Sequence, residues 1–121
     1  MEIKLSFDSD ALICVLYAEY LNRRDHNVPI DRAVCFQSDI VIHRDYFPDW
    51  LQDDVTTVCY WLYARDLITG CPGDDHLSDV QLTEDGIIYM ESRFSRKREK
   101  VLSHIRSLVK IGISVAAVVF A

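Results

Sequence analysis

An α+β fold is predicted for this chain by three observations. Apolar residues recur at helical spacing through several long stretches. Two short strand-like runs, residues 67–71 and 79–83, flank the turn-rich Pro72-Gly73-Asp74-Asp75, which is the spacing of a β-hairpin with a long tip. A helix start follows at once: Thr83 stands as N-cap before Glu84 and Asp85, where the positive end of the helix dipole favours carboxylates.

The elements follow in order. Residues 2–7 alternate polar and apolar side chains, which predicts a short half-buried strand added to the hairpin sheet. Asp8, Ser9 and Asp10 offer N-cap oxygens for a first helix reaching Asn22, with Ile13, Leu16, Tyr17 and Tyr20 facing the core. Pro29 closes the polar connector after it, and Asp31 caps a short second helix over residues 32–37. Ile40-Val41-Ile42 is too brief to assign and reads as strand or turn. Pro48 sets the start of a third helix over residues 49–66, with Leu51, Val55, Val58, Cys59 and Leu62 on its inner side. A fourth helix follows the hairpin with Ile87, Met90 and Phe94 inward. It continues through the basic run Arg93, Arg96, Lys97, Arg98 and Lys100 into an apolar stripe of Val101, Ile105 and Leu108. The last 11 residues, 111–121, are apolar all round.

At 121 residues and 50% hydrophobic, the chain has material for one domain with one core. Charge is strongly asymmetric. Residues 1–87 carry 6 Lys/Arg against 17 Asp/Glu, a net −11, and residues 88–121 carry 7 Lys/Arg against 2 Glu, a net +5. Four cysteines, Cys14, Cys35, Cys59 and Cys71, show no C-x-x-C pair. They read as free thiols of a reducing cytoplasm, three of them in the core. No secretory signal opens the chain.

The helix order, the passage YWLYARDLITG from third helix into hairpin, and VQLTEDGIIYME leaving it resemble the winged helix-turn-helix superfamily over roughly residues 8–98. The resemblance implies a winged helix with a short N-terminal strand, a β-hairpin wing and a C-terminal helical extension. On this division residues 1–98 are the winged-helix domain, and residues 99–121 are a helix and apolar tail serving self-association or membrane proximity. The resemblance also implies that the third helix, residues 49–66, is the element that reads DNA in the family, and that the wing tip is residues 73–77. It identifies architecture and not activity.

The residues on those elements depart from a DNA reader. The outward face of the third helix is expected to present Trp50, Asp53, Thr57, Tyr60, Trp61 and Ala64, with no Lys or Arg, and the wing tip adds Asp74 and Asp75. Phosphate neutralisation supplies most sequence-independent affinity for DNA, and carboxylates oppose it. Exposed Trp and Tyr instead resemble the anchors of a protein interface, unless they pack on Tyr46, Phe47 or the N-terminal strand. The expected function is therefore a non-enzymatic regulator or adaptor. It would contact an unknown protein partner through Trp50, Asp53, Thr57, Tyr60 and Trp61, as a cytoplasmic homo-oligomer.

Two alternatives accompany that reading. One is a transcriptional regulator whose phosphate contacts come from Arg93, Arg96, Lys97, Arg98 and Lys100, with Arg23 and Arg24, in a dimer. The other is an acidic DNA mimic that blocks a nucleic-acid-binding protein. The same basic run beside the apolar tail also fits the inner face of a membrane, but 11 residues fall short of the roughly 18–20 that span a bilayer.

Catalytic and metal signals are weak. His43-Arg44-Asp45 matches a kinase catalytic tripeptide without the glycine-rich loop, lysine or D-F-G that give it meaning. Asp74, Asp75, His76 and Asp79 fit neither an EF-hand nor a zinc spacing. No enzyme, cofactor or metal is expected.

Overall fold

The computed structural model describes residues 3–121. The architecture is α+β, with six helices and a small antiparallel sheet of three strands. In chain order these are α1 (Phe7–Asp25), α2 (Ile30–Ala33), β1 (Cys35–Ser38), α3 (Asp39–Tyr46), α4 (Gln52–Ala64), β2 (Ile68–Pro72), β3 (Leu77–Leu82), α5 (Glu84–Phe94) and α6 (Arg98–Lys110). A 3₁₀ turn follows at Ala117–Phe120.

Helix α1 is the axis of the molecule. Ser6 caps it, its hydroxyl accepting from the Ser9 amide at 3.1 Å, with Asp8 and Asp10 in the first turn and Arg23 and Arg24 in the last. The expected core face is buried, and so is nearly everything else: from Ala11 to Ala18 no residue is more than 1% exposed. A helix apolar on all sides has to be surrounded, and α4, α5 and α6 all pack against this one. The expected N-terminal strand is not formed among the described residues. Residues 3–6 join no strand, and Phe7 is already helical because Ser6 supplies the cap before the expected strand would end. Glu2, which the expected strand included, lies outside the described residues.

The third strand of the sheet comes instead from β1, where a helix was expected. Residues 30–33 make a single turn, and the chain then extends to pair with β3 through Cys35↔Gln81, Gln37↔Val80 and Ser38↔Ser78. Arg23 decides the change of conformation. Its Nη1 donates to the carbonyls of Ala33 (3.1 Å) and Cys35 (2.7 Å), and its guanidinium sits 4.5 Å from the centre of the Phe36 ring. Those carbonyls are thereby satisfied without further helix. Sheet order is β1-β3-β2.

Ile40-Val41-Ile42 lies within α3, which Ser38 caps by accepting from the Val41 amide at 3.2 Å. The β-branched run disguised a helix whose only buried apolar residue is Ile42. Helix α4 begins at Gln52, three residues later than expected, because the segment after Pro48 closes a turn from the Trp50 amide to the Phe47 carbonyl. Val55, Val58, Cys59 and Leu62 are buried as expected, but Leu51 sits before the first helical turn and is 72% exposed.

The hairpin and its exit into α5 match the reading closely. Thr83 accepts from the Gly86 amide at 2.9 Å while its own hydroxyl donates to the Asp66 carbonyl at 2.5 Å. Gly86 is required by close approach, since a Cβ there would stand 2.1 Å from the Leu67 carbonyl oxygen.

The basic run does not continue one helix. Ser95 and Arg96 both adopt left-handed backbone (φ 53° and 59°), ending α5 and redirecting the chain into α6. Helix α6 buries Val101, Leu102, Ile105 and Leu108 along α1. The apolar tail then folds back over the domain. The Ile113 amide donates to the Leu108 carbonyl, the Ala116 amide to the Tyr46 carbonyl, and Val119 is buried. Among the described residues no helix is long and apolar enough to cross a membrane.

Candidate functional site

The surface formed by α4 and the hairpin tip is built around one buried carboxylate. Asp39, the first residue of α3, has no solvent exposure. Its Oδ2 accepts from the Thr56 hydroxyl of α4 at 2.5 Å and from Nδ1 of His76 at 2.9 Å, and its Oδ1 accepts from the Leu77 amide at 3.3 Å. Burying a charge is tolerable only where donors replace its water, and here the three donors come from α4, from His76 of the hairpin tip and from the start of β3. The hairpin is thereby clamped to the helix pair. Tyr60 adds a second tie, its hydroxyl donating to the His76 carbonyl at 2.8 Å. The hydrogen bond to Asp39, which outweighs the opposing effect of desolvation, raises the pKa of His76 above 6.5.

The five residues expected to form an interaction face divide accordingly. Asp53, Thr57 and Trp61 are exposed on α4, beside Asp54, and Asp74 and Asp75 are exposed at the hairpin tip. Tyr60 is half-buried as a tie within the fold. Trp50 lies before α4 and not on it. Its ring packs 4.6 Å from that of Phe47, and its Nε1 donates to the Ser114 carbonyl at 2.9 Å, while Ser114 in turn donates to Asp49. Arg65, the C-cap residue that follows α4, turns its guanidinium back to the Trp61 carbonyl at 3.3 Å.

The basic run is likewise divided. Arg93 grips Asp10 with both terminal nitrogens, at 2.6 and 3.3 Å, and its guanidinium lies 4.8 Å from the Phe94 ring centre. Arg98 donates to the carbonyls of Val119 and Ala121, each at 3.1 Å, and so holds the tail. Arg96 pairs loosely with Glu91 at 3.6 Å. Lys97 and Lys100 point to solvent. Arg23 is spent on the α2–β1 junction, and Arg24 donates to the Val28 carbonyl.

A cluster that the sequence does not announce surrounds Asp10. His104 of α6 donates from Nε2 to Oδ2 of Asp10 at 2.7 Å, and the buried thiol of Cys14 lies 3.5 Å from Oδ1. Burial alone would raise the Asp10 pKa, yet the hydrogen bonds from Arg93 and His104 together outweigh it and hold the carboxyl below its usual value. Burial pushes the Cys14 thiol well up, and the Asp10 charge pushes it further. Asp10, Cys14 and His104 bring ligand atoms within 4.8 Å of one another, the only such trio among the described residues. The guanidinium of Arg93 already supplies the positive charge there, bidentate on the carboxylate that a metal would need. The cluster is a junction of α1, α5 and α6. Asp10 and His104 are 94 positions apart, so no local motif could have revealed it.

No protein-family model, curated protein or solved structure gives a match to this chain.

Proposed function

We propose that the chain is a winged-helix module that works through protein contacts made by α4 and the wing, and is neither a DNA reader nor an enzyme. The succession α1–β1–α3–α4–β2–β3, with sheet order β1-β3-β2, is compatible with that layout. On this reading α4 is the reading helix and residues 73–77 are the wing tip. The observation that carries the functional reading is the chemistry of that surface: Asp53, Asp54, Asp74 and Asp75 are exposed on α4 and the hairpin tip, Asp53 and Asp75 share a shallow pocket with Thr57 and Tyr60, and Trp61 is 46% exposed one helical turn beyond Thr57. A duplex presents a dense row of phosphates and would be repelled. An exposed indole on a helix that also carries free carboxylates suits a partner that offers an apolar pocket and basic groups. The internal engagement of Arg93 and Arg98 weakens the alternative of DNA binding through the basic run.

The test is titration of the protein with a random-sequence DNA duplex at low and then moderate salt. A DNA reader keeps a sequence-independent dissociation constant of about 10⁻⁴–10⁻⁶ M at physiological salt. The expected result is no binding even at low salt. Binding that weakens steeply with salt overturns the proposal. Trp61→Ala is expected to keep the fold, within about 0.5 kcal/mol, as a surface position does; unfolding by this change would place Trp61 in the core and remove it from the interface.

A further inference from the structure

Asp53 in the first turn of α4 and Asp75 at the hairpin tip share an open pocket of about 670 Å³ with Thr57, Tyr60 and His76. None of the ion pairs among the described residues uses either carboxylate. Between residues 45 and 92 the only Lys or Arg is Arg65. Its guanidinium turns to the Trp61 carbonyl, and it lines a different recess, beside Ser6 and Ser9.

The pocket is negative once all of its charges are counted. Asp39 lies buried behind His76, and Asp53 and Asp75 are both near enough to His76 to act on its charge. Against these three carboxylates, the starts of α3 and α4 each bring roughly half a positive charge. The sum is about −2 with His76 neutral and about −1 with it protonated. A cation is attracted in both states, and more strongly in the first.

The geometry selects the kind of cation. A metal ion needs ligand atoms that converge, and Asp53, Asp75 and His76 do not meet within the 4.8 Å that the trio at Asp10 shows. A guanidinium spreads its N–H donors over a planar fork and bridges acceptors that stand further apart. Its flat face also stacks on an aromatic ring, and the Tyr60 ring is held in place by the bond from its hydroxyl to the His76 carbonyl. Trp61, one helical turn beyond Thr57 and 46% exposed, offers cover to an apolar neighbour of the arginine.

We infer that the pocket between α4 and the hairpin tip seats an arginine side chain of the protein partner, its guanidinium bridging Asp53 and Asp75 and stacked on Tyr60. This rests on α4 and the wing being a protein-contact surface, and it names the group which that surface takes.

The test is a two-dimensional NMR titration of the whole chain with acetyl-arginine amide at constant ionic strength. Acetyl-citrulline amide serves as the uncharged isostere and acetyl-lysine amide as the compact cation. The expected result is saturable shifts of the Thr57, Tyr60, Asp75 and His76 amides with arginine, weaker binding of lysine and none of citrulline. Asp53→Asn and Asp75→Asn are each expected to weaken binding about fivefold, the effect of one unit charge at roughly 4 Å in water. Both positions are exposed, asparagine keeps the left-handed backbone of Asp75, and the same spectra report that the variants stay folded. Lowering the pH from about 8.5 to about 5.5, across the ordinary histidine value of about 6.5, is expected to weaken binding by a similar factor in the wild type and not in His76→Gln. The inference is overturned by an absence of shifts with arginine, by equal binding of lysine, or by an affinity unchanged in both asparagine variants or by pH. Shifts confined to the other acidic recess, at Asp8, Asp49 and Asp54, also overturn it. Salt-dependent DNA binding overturns the protein-contact reading itself and is read in its own titration, so the two failures are distinguishable.

Discussion

Nδ1 of His76 stands 2.9 Å from Oδ2 of Asp39, joining a half-exposed imidazole at the hairpin tip to a carboxylate with no solvent exposure at the head of α3. The pair spans 37 positions of sequence. It fixes where the acidic hairpin tip sits relative to the exposed side of α4, and therefore the shape of the proposed interaction surface.

Because the folded pKa of His76 is raised above 6.5, its protonation favours the folded state. That contribution is fully present below about pH 6.5 and is lost as pH rises through the folded value. The expected outcome is a small decline in melting temperature over that window, absent in His76→Ala. An imidazole titration by NMR that places His76 at or below 6.5 would contradict the assignment.

Asp39→Ala removes the acceptor from three donors at once. Leaving a buried donor without its acceptor costs about 1–3 kcal/mol, and denaturant melts should show a loss of at least that size, since the Thr56 hydroxyl and the Leu77 amide both lose Asp39. Asp39→Asn should cost less, because its carbonyl still accepts. Hydrogen exchange at the Leu77 amide should quicken more than at the Gly86 amide in either variant, since only the first depends on Asp39.

Arg93→Met leaves Asp10 buried beside Cys14 with only His104 to answer its charge. A destabilisation of about 3 kcal/mol is expected near neutral pH. In the wild type the depressed Asp10 pKa contributes stability that is present above the ordinary carboxylate value of 3.8 and is lost as pH falls through the folded value. The Arg93→Met variant should therefore show a flatter acid limb in its stability curve; an identical acid limb in both proteins would rule out the ion pair as its source.

Gly86→Ala lies in the first turn of α5, where alanine ordinarily gains up to about 1 kcal/mol over glycine. Here the new methyl would meet the Leu67 carbonyl at 2.1 Å. The expected sign is reversed, with a loss of about 1–3 kcal/mol as the helix shifts off the sheet. Gly73→Ala at the hairpin tip, where the nearest neighbour of a Cβ would be the His76 carbonyl oxygen at 3.8 Å, should change stability little.

The four thiols should separate by reactivity. Cys71 is exposed and Cys35 half-buried, whereas Cys14 and Cys59 are buried. Burial pushes the Cys59 thiol up to about 12 and the Cys14 thiol well above its ordinary value. A disulfide-exchange reagent should label Cys71 first and Cys35 more slowly, and reach Cys14 and Cys59 only on unfolding. Rapid native labelling of four thiols would refute the packing around α1.

The hairpin and the N-terminus of α5 were readable from sequence because each is specified within a few residues: Pro72-Gly73 turns the chain, and Thr83 with Gly86 starts a helix. The core faces of α1 and α4 were readable for the same reason, through periodicity. The errors cluster where a distant group decides a local conformation. Arg23 draws residues 35–38 into a strand. The backbone at Ser95 and Arg96 breaks the basic run into two helices, and Trp50, Asp49 and Arg98 hold down a tail whose apolar composition alone suggested a membrane or a partner.

By itself the sequence determined the fold class, the hairpin, one core-facing side of α1 and the acidic character of α4 and the hairpin tip, because composition, caps and period are local properties. Only the tertiary structure decided which charges are free. Arg93, Arg98 and Asp39 look in sequence like any other ionisable residues, and it is their burial against groups 17 to 83 positions away that turns them from surface chemistry into joints of the fold. The energy of a buried charge depends on what surrounds it, and the chain order of the residues does not state that.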